Sequence, residues 1–537
     1  MADRIFLNGT VWTGLPGGDR AQALAVKDGR IAAVGTDVEV ASLARAGTEV
    51  ESLAGRALLP GFVDAHAHFI AGGHSLSRVN LRDVGTPEEL AARLRSWAAR
   101  LPEGRWILGG GWDHELWGGT LPTRAWIDAA TPDHPVLVHR LDLHMALANF
   151  QALEFAGIDE DTVDPKGGLV VRDESDAPTG LLKDAAIDLV ARLVPEPGEE
   201  ERQASIRAAA RHVLSLGVTQ VHDMGTLGDS EESWSNLASY RSARARDLLP
   251  LRIRAMVPIA HRERMAAWVA EHGRGDDRLG WGGVKGFVDG SLGSGTAWMH
   301  GGYADEPENR GLTLGDPEEL RRAIVEADAA GLQVAVHAIG DRANDWLLDV
   351  FQETMHANGV RDRRFRVEHA QHLTPEAMER FGRLAVVASV QPYHLADDGR
   401  WATRRLGEER ARRSWPLASL LERRALLAFG SDWTVAPPDP ILAVSVAVTR
   451  RTLDGAHPDG WGPDERISLE AALRAHTAAG AYAGFMEHRV GRLAMGSYAD
   501  LVVLDRDIFS LPSAELSEAR VETTLVEGRV AYRRGDE

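Results

Sequence analysis

Hydrophobic and polar residues follow two different patterns along the chain. In residues 1–58, short runs of Val, Ile, Leu and Phe are broken by Gly, Asn and Asp, and Asn8-Gly9 and Asp28-Gly29 are hairpin signals. The same texture returns near the other end, in VGRLAMGSYADLVVLD and VETTLVEGRVAYRRG. We therefore predict a small β-sandwich domain that combines residues 1–58 with residues 487–537.

Residues 59–486 alternate between strand-like and helical segments. Near-continuous apolar runs such as LQVAVHA, FRVEHA and ALLAFGSDW lie beside helical stretches such as PEELRRAIVEADAAG. This alternation predicts a parallel sheet buried on both faces, and about eight such runs favour a closed (β/α)8 barrel of the TIM type over an open doubly wound sheet. No G-x-G-x-x-G opens a helix after the first strand, so a dinucleotide site lacks its main support.

One stretch, from about residue 73 to 205, interrupts the alternation. It contains Trp106, Trp112, Trp117 and Trp126 in quick succession, with many prolines and glycines. We predict an insertion after the first barrel strand. Because loops at the carboxyl ends of barrel strands line the active site, we expect the insertion to shape substrate entry.

Composition narrows the class of protein and of site. Of the 537 residues, 44% are hydrophobic and 26% charged, which is typical of a globular protein. The formal net charge of −19 argues against nucleic acid as a partner, because a phosphate backbone is bound by basic patches. The chain has no cysteine, which excludes disulfides, thiolate zinc sites and a cysteine nucleophile, so any metal must be bound by histidine, by carboxylate or by a rarer ligand.

The sequence also gives an expectation about location. The first residues, MADRIFLNGTVW, lack a charged segment followed by an apolar one, and no apolar run reaches the ~18 residues of a membrane span. We therefore expect a cytoplasmic protein without a membrane partner, and the acidic, cysteine-free composition fits a homo-oligomer.

The strongest local motif is D-A-H-A-H, which ends the run ALLPGFVDAHAHF. In a strand, residues i and i+2 point the same way, so His66 and His68 can chelate one divalent ion. An isolated H-x-H is weak, but three other apolar runs end in His337, His369 and Asp432. A barrel gathers its strand ends on one face, so these residues are predicted to converge there.

Each of these residues also has an ordinary structural interpretation. A histidine at a strand end is more often hydrogen-bonded than a ligand, and Asp432 could instead cap a following helix. His372 is a rival of His369, which we prefer because it directly ends the apolar run.

Lys285 lies inside the strand-like segment GGVKGFVDGS, in a chain that has four lysines and otherwise uses arginine. A buried ammonium is costly, so this lysine is a candidate for chemistry that arginine cannot perform. Reaction of the amine with carbon dioxide would give a carbamate, an anionic ligand that can bridge two metals. The alternative is a lysine whose ammonium reaches the rim.

Taken together, the motifs resemble those of one family. LLPGFVDAHAHF, GGGWDHELWGG, VKGFVDGSLGSGTA, VHAIGDRAND, RVEHAQHL, GSDWTV and GRLAMGSYADLVVLD resemble the amidohydrolase superfamily, and specifically the YtcJ-like group (amidohydrolase family 3) that includes N-substituted formamide deformylases. The resemblance covers essentially the whole chain.

The resemblance implies a zinc site of one or two ions, although other divalent metals would also fit. It implies that His66, His68 and Asp432 bind the more buried metal, that His337 and His369 bind the more exposed one, and that carboxylated Lys285 bridges them. Asp432 would take a proton from a metal-activated water and return it to the leaving nitrogen.

Further residues are expected near the substrate. His144 matches a position of the insertion motif, and Trp112 and Trp117 form either an apolar wall or the core of the insertion. Ser291 either contacts substrate or turns the chain. Asp341 is expected to orient His337, because metal-bound imidazoles usually donate their other N–H to a carboxylate or carbonyl.

The leading interpretation is a hydrolase of non-peptide C–N bonds that acts on a small amide-like molecule, a linear amide or an N-substituted formamide. A second is a hydrolase of cyclic amides or esters, or a deaminase, on the same site. A third is a metal-stabilised binding or regulatory protein with little turnover, against which an intact Asp432 argues.

Overall fold

The computed structural model describes residues 1–17, 20–226 and 231–536. Its strands are β1 (Arg4–Leu7), β2 (Thr10–Trp12), β3 (Arg20–Ala21), β4 (Ala23–Lys27), β5 (Arg30–Gly35), β6 (Glu49–Ser52), β7 (Ala57–Pro60), β8 (Phe62–Ala67), β9 (Val79–Asn80), β10 (Ile107–Trp112), β11 (Val136–Arg140), β12 (Met145–Ala148), β13 (Gly168–Arg172), β14 (Pro178–Asp184), β15 (Val218–Asp223), β16 (Arg252–Pro258), β17 (Leu279–Phe287), β18 (Gln333–Ala338), β19 (Arg366–His369), β20 (Val387–Val390), β21 (Leu426–Phe429), β22 (Leu501–Leu504), β23 (Val521–Val526) and β24 (Arg529–Arg533).

Its α-helices are α1 (Asp37–Ala41), α2 (Phe69–Ser75), α3 (Pro87–Ala98), α4 (Phe150–Ala156), α5 (Asp188–Ala191), α6 (Glu199–Ser215), α7 (Glu232–Ala245), α8 (Arg262–His272), α9 (Pro317–Ala329), α10 (Asp341–Asn358), α11 (Pro375–Leu384), α12 (Pro392–Asp398), α13 (Ala402–Leu406), α14 (Glu408–Ala411), α15 (Leu417–Glu422), α16 (Pro440–Thr449), α17 (Leu469–Ala475) and α18 (Ala478–Ala483). Short 3-10 helices lie at His114–Trp117, Arg124–Trp126, Asp128–Ala130, Ile259–His261, Pro463–Glu465, Ile508–Ser510 and Ser513–Glu518. Within the described ranges, every helix is too short or too polar to cross a bilayer.

Eight parallel strands form the central sheet, in the order β8-β15-β16-β17-β18-β19-β20-β21. They are almost continuously buried, as expected for strands covered on both faces. Sequence signals start several of the helices between them: α9, α11 and α16 begin with Pro directly after Asp316, Thr374 or Asp439, whose side chains accept hydrogen bonds from helix N–H groups. The predicted TIM-type barrel is confirmed.

The predicted insertion is a second sheet that the chain forms between the first and second barrel strands. Its six strands have the order β13-β14-β12-β11-β10-β9 and are partly antiparallel. Trp112 packs in its core with Leu147 and Leu181, and the Trp112 indole N–H donates to the Val138 carbonyl at 2.8 Å. The insertion therefore has its own hydrophobic core beside the barrel.

Two further sheets form the predicted β-sandwich. One has the order β5-β4-β1-β6 and comes from the amino-terminal part, whereas the other, β24-β23-β22-β7-β2-β3, combines both ends of the chain. Phe6 and Leu24 share a core with Leu501 and Leu525. The sandwich built from both ends is confirmed. The limits 1–58, 59–486 and 487–537 stay predictions, and residues 18, 19 and 537 lie outside the described residues.

The barrel closes where its first strand meets its eighth. The buried Asp64 carboxylate accepts hydrogen bonds from the Ser431 N–H at 2.9 Å and the Ser431 hydroxyl at 2.5 Å. The Asp432 N–H donates to the His66 carbonyl at 2.7 Å, and the His68 N–H donates to the Trp433 carbonyl at the same distance. Burial raises the pKa of Asp64 to about 6, although these hydrogen bonds oppose the rise. This seam holds the H-x-H motif against Asp432.

A glycine makes the close approach at the seam possible. A Cβ at Gly430 would lie 2.5 Å from the His66 nitrogen, so we expect Gly430→Ala to destabilise the fold by about 1–3 kcal/mol through overpacking. Circular dichroism would show this as a lower Tm. Gly85→Ala is the matched control, because its Cβ would meet nothing closer than 4.0 Å. An equal fall in Tm for both variants would contradict the close-packing explanation.

Candidate metal centre and active site

A cavity lies at the carboxyl ends of the barrel strands. Parallel strands bring their carboxyl ends to one face, so residues far apart in sequence meet there. Of the residues predicted for the site, the cavity is lined by His66, His68, His144, Lys285, Ser291, His337, His369 and Asp432.

His66, His68 and Asp432 form the first group of potential metal ligands. Their ligand atoms lie within 4.8 Å of one another, and both histidine Nε2 atoms are 3.3 Å from Asp432 Oδ1. Each Nδ1 is fixed on the far side of its ring, that of His66 by Glu368 at 2.7 Å and that of His68 by the Gly225 carbonyl at 2.6 Å. These hydrogen bonds leave Nε2 as the free ligand atom of both rings.

A second group shares Asp432 with the first. The ligand atoms of His369, His394 and Asp432 also lie within 4.8 Å of one another, and His394 Nε2 is 3.9 Å from Asp432 Oδ2. His369 and Asp432 have φ angles of 77° and 57°, in the left-handed region that non-glycine residues rarely adopt. Such backbone strain is often found at functional sites, and here it turns both side chains into the cavity.

The donor set fits a divalent metal ion. In the part of the chain that the structure describes, His66 Nε2, His369 Nδ1 and His394 Nε2 are buried without a hydrogen bond. Leaving several buried nitrogens unpaired is costly, and they surround one buried carboxylate. Imidazole nitrogens with a carboxylate oxygen are the ligands that zinc takes when no thiolate is available.

Lys285 is on β17, the fourth barrel strand, and its side chain lies inside the cavity rather than at the rim. Burial lowers the pKa of Lys285 to about 8, although Glu368 and Asp432 partly offset the effect. The ammonium nitrogen lies 4.4 Å from the centre of the Phe287 ring. A neutral, nucleophilic amine is therefore more accessible here than in an exposed lysine.

His337 is in the cavity but outside both groups. Its ring is 4.4 Å from that of His369, centre to centre, and its Nε2 is 3.0 Å from the Gly290 carbonyl. The carboxylate beside His337 is Asp289, at 3.6 Å, and not the expected Asp341. Asp341 begins α10 and accepts a hydrogen bond from the His300 N–H at 2.8 Å.

The other predicted residues are distributed differently. His144 Nδ1 is 2.6 Å from the buried Asp184 carboxylate, and the Ser291 hydroxyl donates to Asp142 at 2.6 Å. Trp112 stacks on Trp117 inside the insertion and does not line the cavity. The rival His372 is hydrogen-bonded to the Ser414 hydroxyl at 2.7 Å and belongs to neither ligand group.

Two site residues were missed in the sequence. Glu368 pairs with Arg366 at 2.6 Å and orients His66, and its signal was a pair of opposite charges at i and i+2 in the buried run FRVEH. His394 lies four residues beyond β20, the seventh barrel strand. The strand-end argument applied to QPYH would have drawn attention to it, although it is on a helix rather than at the strand end itself.

Comparison with known proteins agrees with this geometry. Residues 49–532 match the amidohydrolase family. The chain belongs to this family. It is 42% identical to Protein LONG AFTER FAR-RED 3 of Arabidopsis thaliana, over 99% of this chain and 92% of the relative. It is also 31% identical to the putative amidohydrolase YtcJ of Bacillus subtilis, over 98% of this chain and 99% of that protein.

An enzyme and a solved structure extend the comparison. The N-substituted formamide deformylase of Arthrobacter pascens is 28% identical over 99% of both chains. The crystal structure of an uncharacterized metal-dependent hydrolase from Pyrococcus horikoshii superimposes with a TM-score of 0.77 at 30% identity, over 95% of this chain and 99% of that one. The predicted membership of the YtcJ-like amidohydrolases is confirmed, and the protein is a member of a family of metal-dependent hydrolases.

Proposed function

We propose that this amidohydrolase cleaves a C–N bond in a linear amide or N-substituted formamide. The observation that carries the proposal is the buried Asp432 carboxylate, shared by two groups of histidines in one cavity. The formamide deformylase, which matches the full length of the chain, supports an amide-type substrate. We place the reaction in the cytoplasm and, given the net charge of −19, without nucleic acid.

The proposed metal is zinc. His66, His68 and Asp432 would bind one ion, and His337 and His369 would bind a second, with a carbamate on Lys285 between them. His394 adds a ligand atom within reach of His369 and Asp432. When bound, a divalent ion supplies a Lewis acid that lowers the pKa of water and polarises the substrate carbonyl.

Asp432 is suited to move the proton. Burial alone would raise its pKa, but His66 and His68 outweigh burial and hold the pKa of Asp432 well below its ordinary value. The carboxylate is therefore ionised before the reaction. Its position between the two groups of histidines, rather than its basicity, would let it accept the proton of the attacking water and deliver it to the leaving nitrogen. Its two oxygens face different histidines, which keeps the carboxylate fixed between the two groups.

The Lys285 carbamate would form when the neutral amine nitrogen attacks carbon dioxide: an N–C bond forms, one C=O π bond breaks to leave the charge on oxygen, and Nζ releases a proton to water. We expect zinc-loaded protein incubated with ¹³C-bicarbonate to show a carbamate carbon resonance by NMR. Lys285→Arg should lose this resonance and bind less zinc, because a guanidinium does not form the carbamate.

Lys183→Arg is the matched control, because Lys183 is a partly buried lysine that contacts the Ser294 carbonyl outside the ligand groups. It should keep the resonance. Zinc-loaded wild type without a resonance would refute the carbamate, and wild type that binds no zinc would refute the metal site.

Catalysis is tested with a panel of N-substituted formamides, acyl amides, lactams and esters. We expect hydrolysis of the open-chain amides, and Asp432→Asn should lower kcat/KM by at least ~100-fold because the proton acceptor is lost. The exposed variant Asp247→Asn should keep wild-type activity.

Unchanged activity of Asp432→Asn at equal zinc content would contradict the mechanism. Turnover of lactams or esters alone would favour the second interpretation, as would a deaminase activity. Metal binding without any turnover would favour a binding or regulatory protein.

We also propose that His144 contacts the substrate from the insertion side of the cavity. Its ring lies 5.5 Å from that of His337, and Asp184 fixes the orientation of the ring. Asp184→Asn should weaken this positioning and lower kcat/KM by about tenfold at unchanged zinc content. Asp173→Asn, in an exposed turn of the insertion, serves as control. A purely structural role would instead lower Tm and leave kcat/KM of the folded protein unchanged.

A further inference from the structure

The cavity has an acidic wall beside the two ligand groups. Asp142, Asp397 and Asp398 line it, and among the described lining residues Lys285 is the sole basic side chain other than histidine. The same cavity contains His369 Nδ1, which is buried without a hydrogen bond. A molecule that enters the cavity therefore meets unpaired histidine nitrogens at the two groups of metal ligands and carboxyl groups along the wall.

Two of the wall carboxylates are neutralised from behind. Asp142 accepts hydrogen bonds from Arg140 at 2.8 Å and from Ser291 at 2.6 Å. Asp397 pairs with Arg400, which also binds Asp113 at 2.8 Å. The guanidinium groups thus lie behind the wall and leave the cavity surface itself acidic.

Asp398 differs from its neighbours. Among the described residues it forms no ion pair, and its carboxylate accepts one long hydrogen bond, from the Gln371 amide at 3.3 Å. It ends α12, where the helix dipole favours a cation over an anion. Burial and the neighbouring carboxylates, Asp397 first, raise the pKa of Asp398 well above its ordinary value, although Arg140 opposes them.

The charges of the wall do not balance. Four carboxylates, Asp113, Asp142, Asp397 and Asp398, are met by Arg140 and Arg400, with Arg82 at 3.9 Å from Asp397. The Arg140 guanidinium donates its hydrogen bonds to Asp113, Asp142 and His114. Asp398 is therefore the carboxyl group of the wall that has no ion-pair partner among the described residues. Its raised pKa favours the protonated form, and a cation bound beside it would favour the carboxylate instead.

Helix α12 sets the distance between this carboxylate and the ligand groups. His394 and Asp398 are four residues apart, so they lie on one face of the helix, and both line the cavity. Four residues correspond to a rise of about 6 Å. The backbone positions of His394 and Asp398 are therefore about one helical turn apart, and a ligand of comparable length suits both side chains.

We propose that Asp398 binds an ammonium group of the substrate, so that the substrate class is an amide whose chain carries a primary amine about 6 Å from the scissile carbonyl. The substrate class rests on the proposed amide hydrolysis, whereas the cation site is inferred from the residues of the cavity wall and does not depend on the reaction. The basic group would take the place of the missing counterion of Asp398.

A matched pair of substrates tests the proposal on zinc-loaded protein. N-formyl-1,4-diaminobutane and N-formylpentylamine have chains of equal length and differ in a terminal ammonium or methyl group. We expect wild type to prefer the charged substrate by at least about tenfold in kcat/KM. Asp398→Asn should reduce that ratio to about two or less, whereas Asp398→Glu should keep most of it, which separates charge from shape.

Glu409→Gln, on the exposed surface of α14, is the control variant and should keep the wild-type ratio. A ratio near one in wild type, or one that Asp398→Asn leaves unchanged, would overturn the cation site. Zinc content and Tm of each variant exclude a folding defect as the cause.

A binding measurement separates failure of the site from failure of the reaction. By ligand-observed NMR, pentylammonium should bind wild type at least about tenfold more tightly than 1-pentanol, and Asp398→Asn should remove the difference. Binding that follows this pattern without hydrolysis of either formamide would refute the proposed function and support the cation site. Hydrolysis of both formamides without a preference for the charged compound in either assay would refute the cation site and support the proposed function.

Discussion

The seam between the first and eighth barrel strands is the constraint on which the site depends. Asp64 holds Ser431 through two hydrogen bonds, and the next residue, Asp432, is bonded through its backbone to His66. Because an eight-stranded barrel must close on itself, the strand that carries the H-x-H motif has to meet the strand that ends in the aspartate. Closure of the fold and assembly of the first ligand group are therefore the same event.

The alternation of apolar runs and helical segments predicted the barrel, because parallel strands buried on both faces are apolar along their length. The polar residues that end these runs predicted the convergence of His66, His68, His369 and Asp432. His394 escaped the same argument because a helix, not a strand, presents it. The sequence did not point to Asp289 as the carboxylate beside His337, because a spacing of four residues, as between His337 and Asp341, does not show which carboxylate turns toward the ring. These choices depend on loop paths, which tertiary packing decides.

The buried charged residues form two groups, one inside the barrel and one at the mouth of the cavity, which differ in how far their charges are compensated. Inside the barrel, Arg366 compensates Glu368, so the carboxylate can stay ionised and fix the His66 ring without leaving a net charge in the core. At the mouth, by contrast, the guanidinium groups stand behind the wall and leave Asp398 uncompensated. The compensated carboxylate in the interior orients a ligand atom, whereas the unpaired carboxyl group at the cavity surface would be free to bind a cation.

The barrel and the insertion contribute different residues to the cavity. All the predicted metal ligands come from barrel strand ends, whereas Asp142 and His144 come from the insertion and Asp398 from the helix after the seventh strand. Strand ends are held by the closed sheet, but the insertion has a core of its own and can change without disturbing the seam. A change in the insertion should therefore alter which substrate enters, while the ligand groups and their chemistry stay the same.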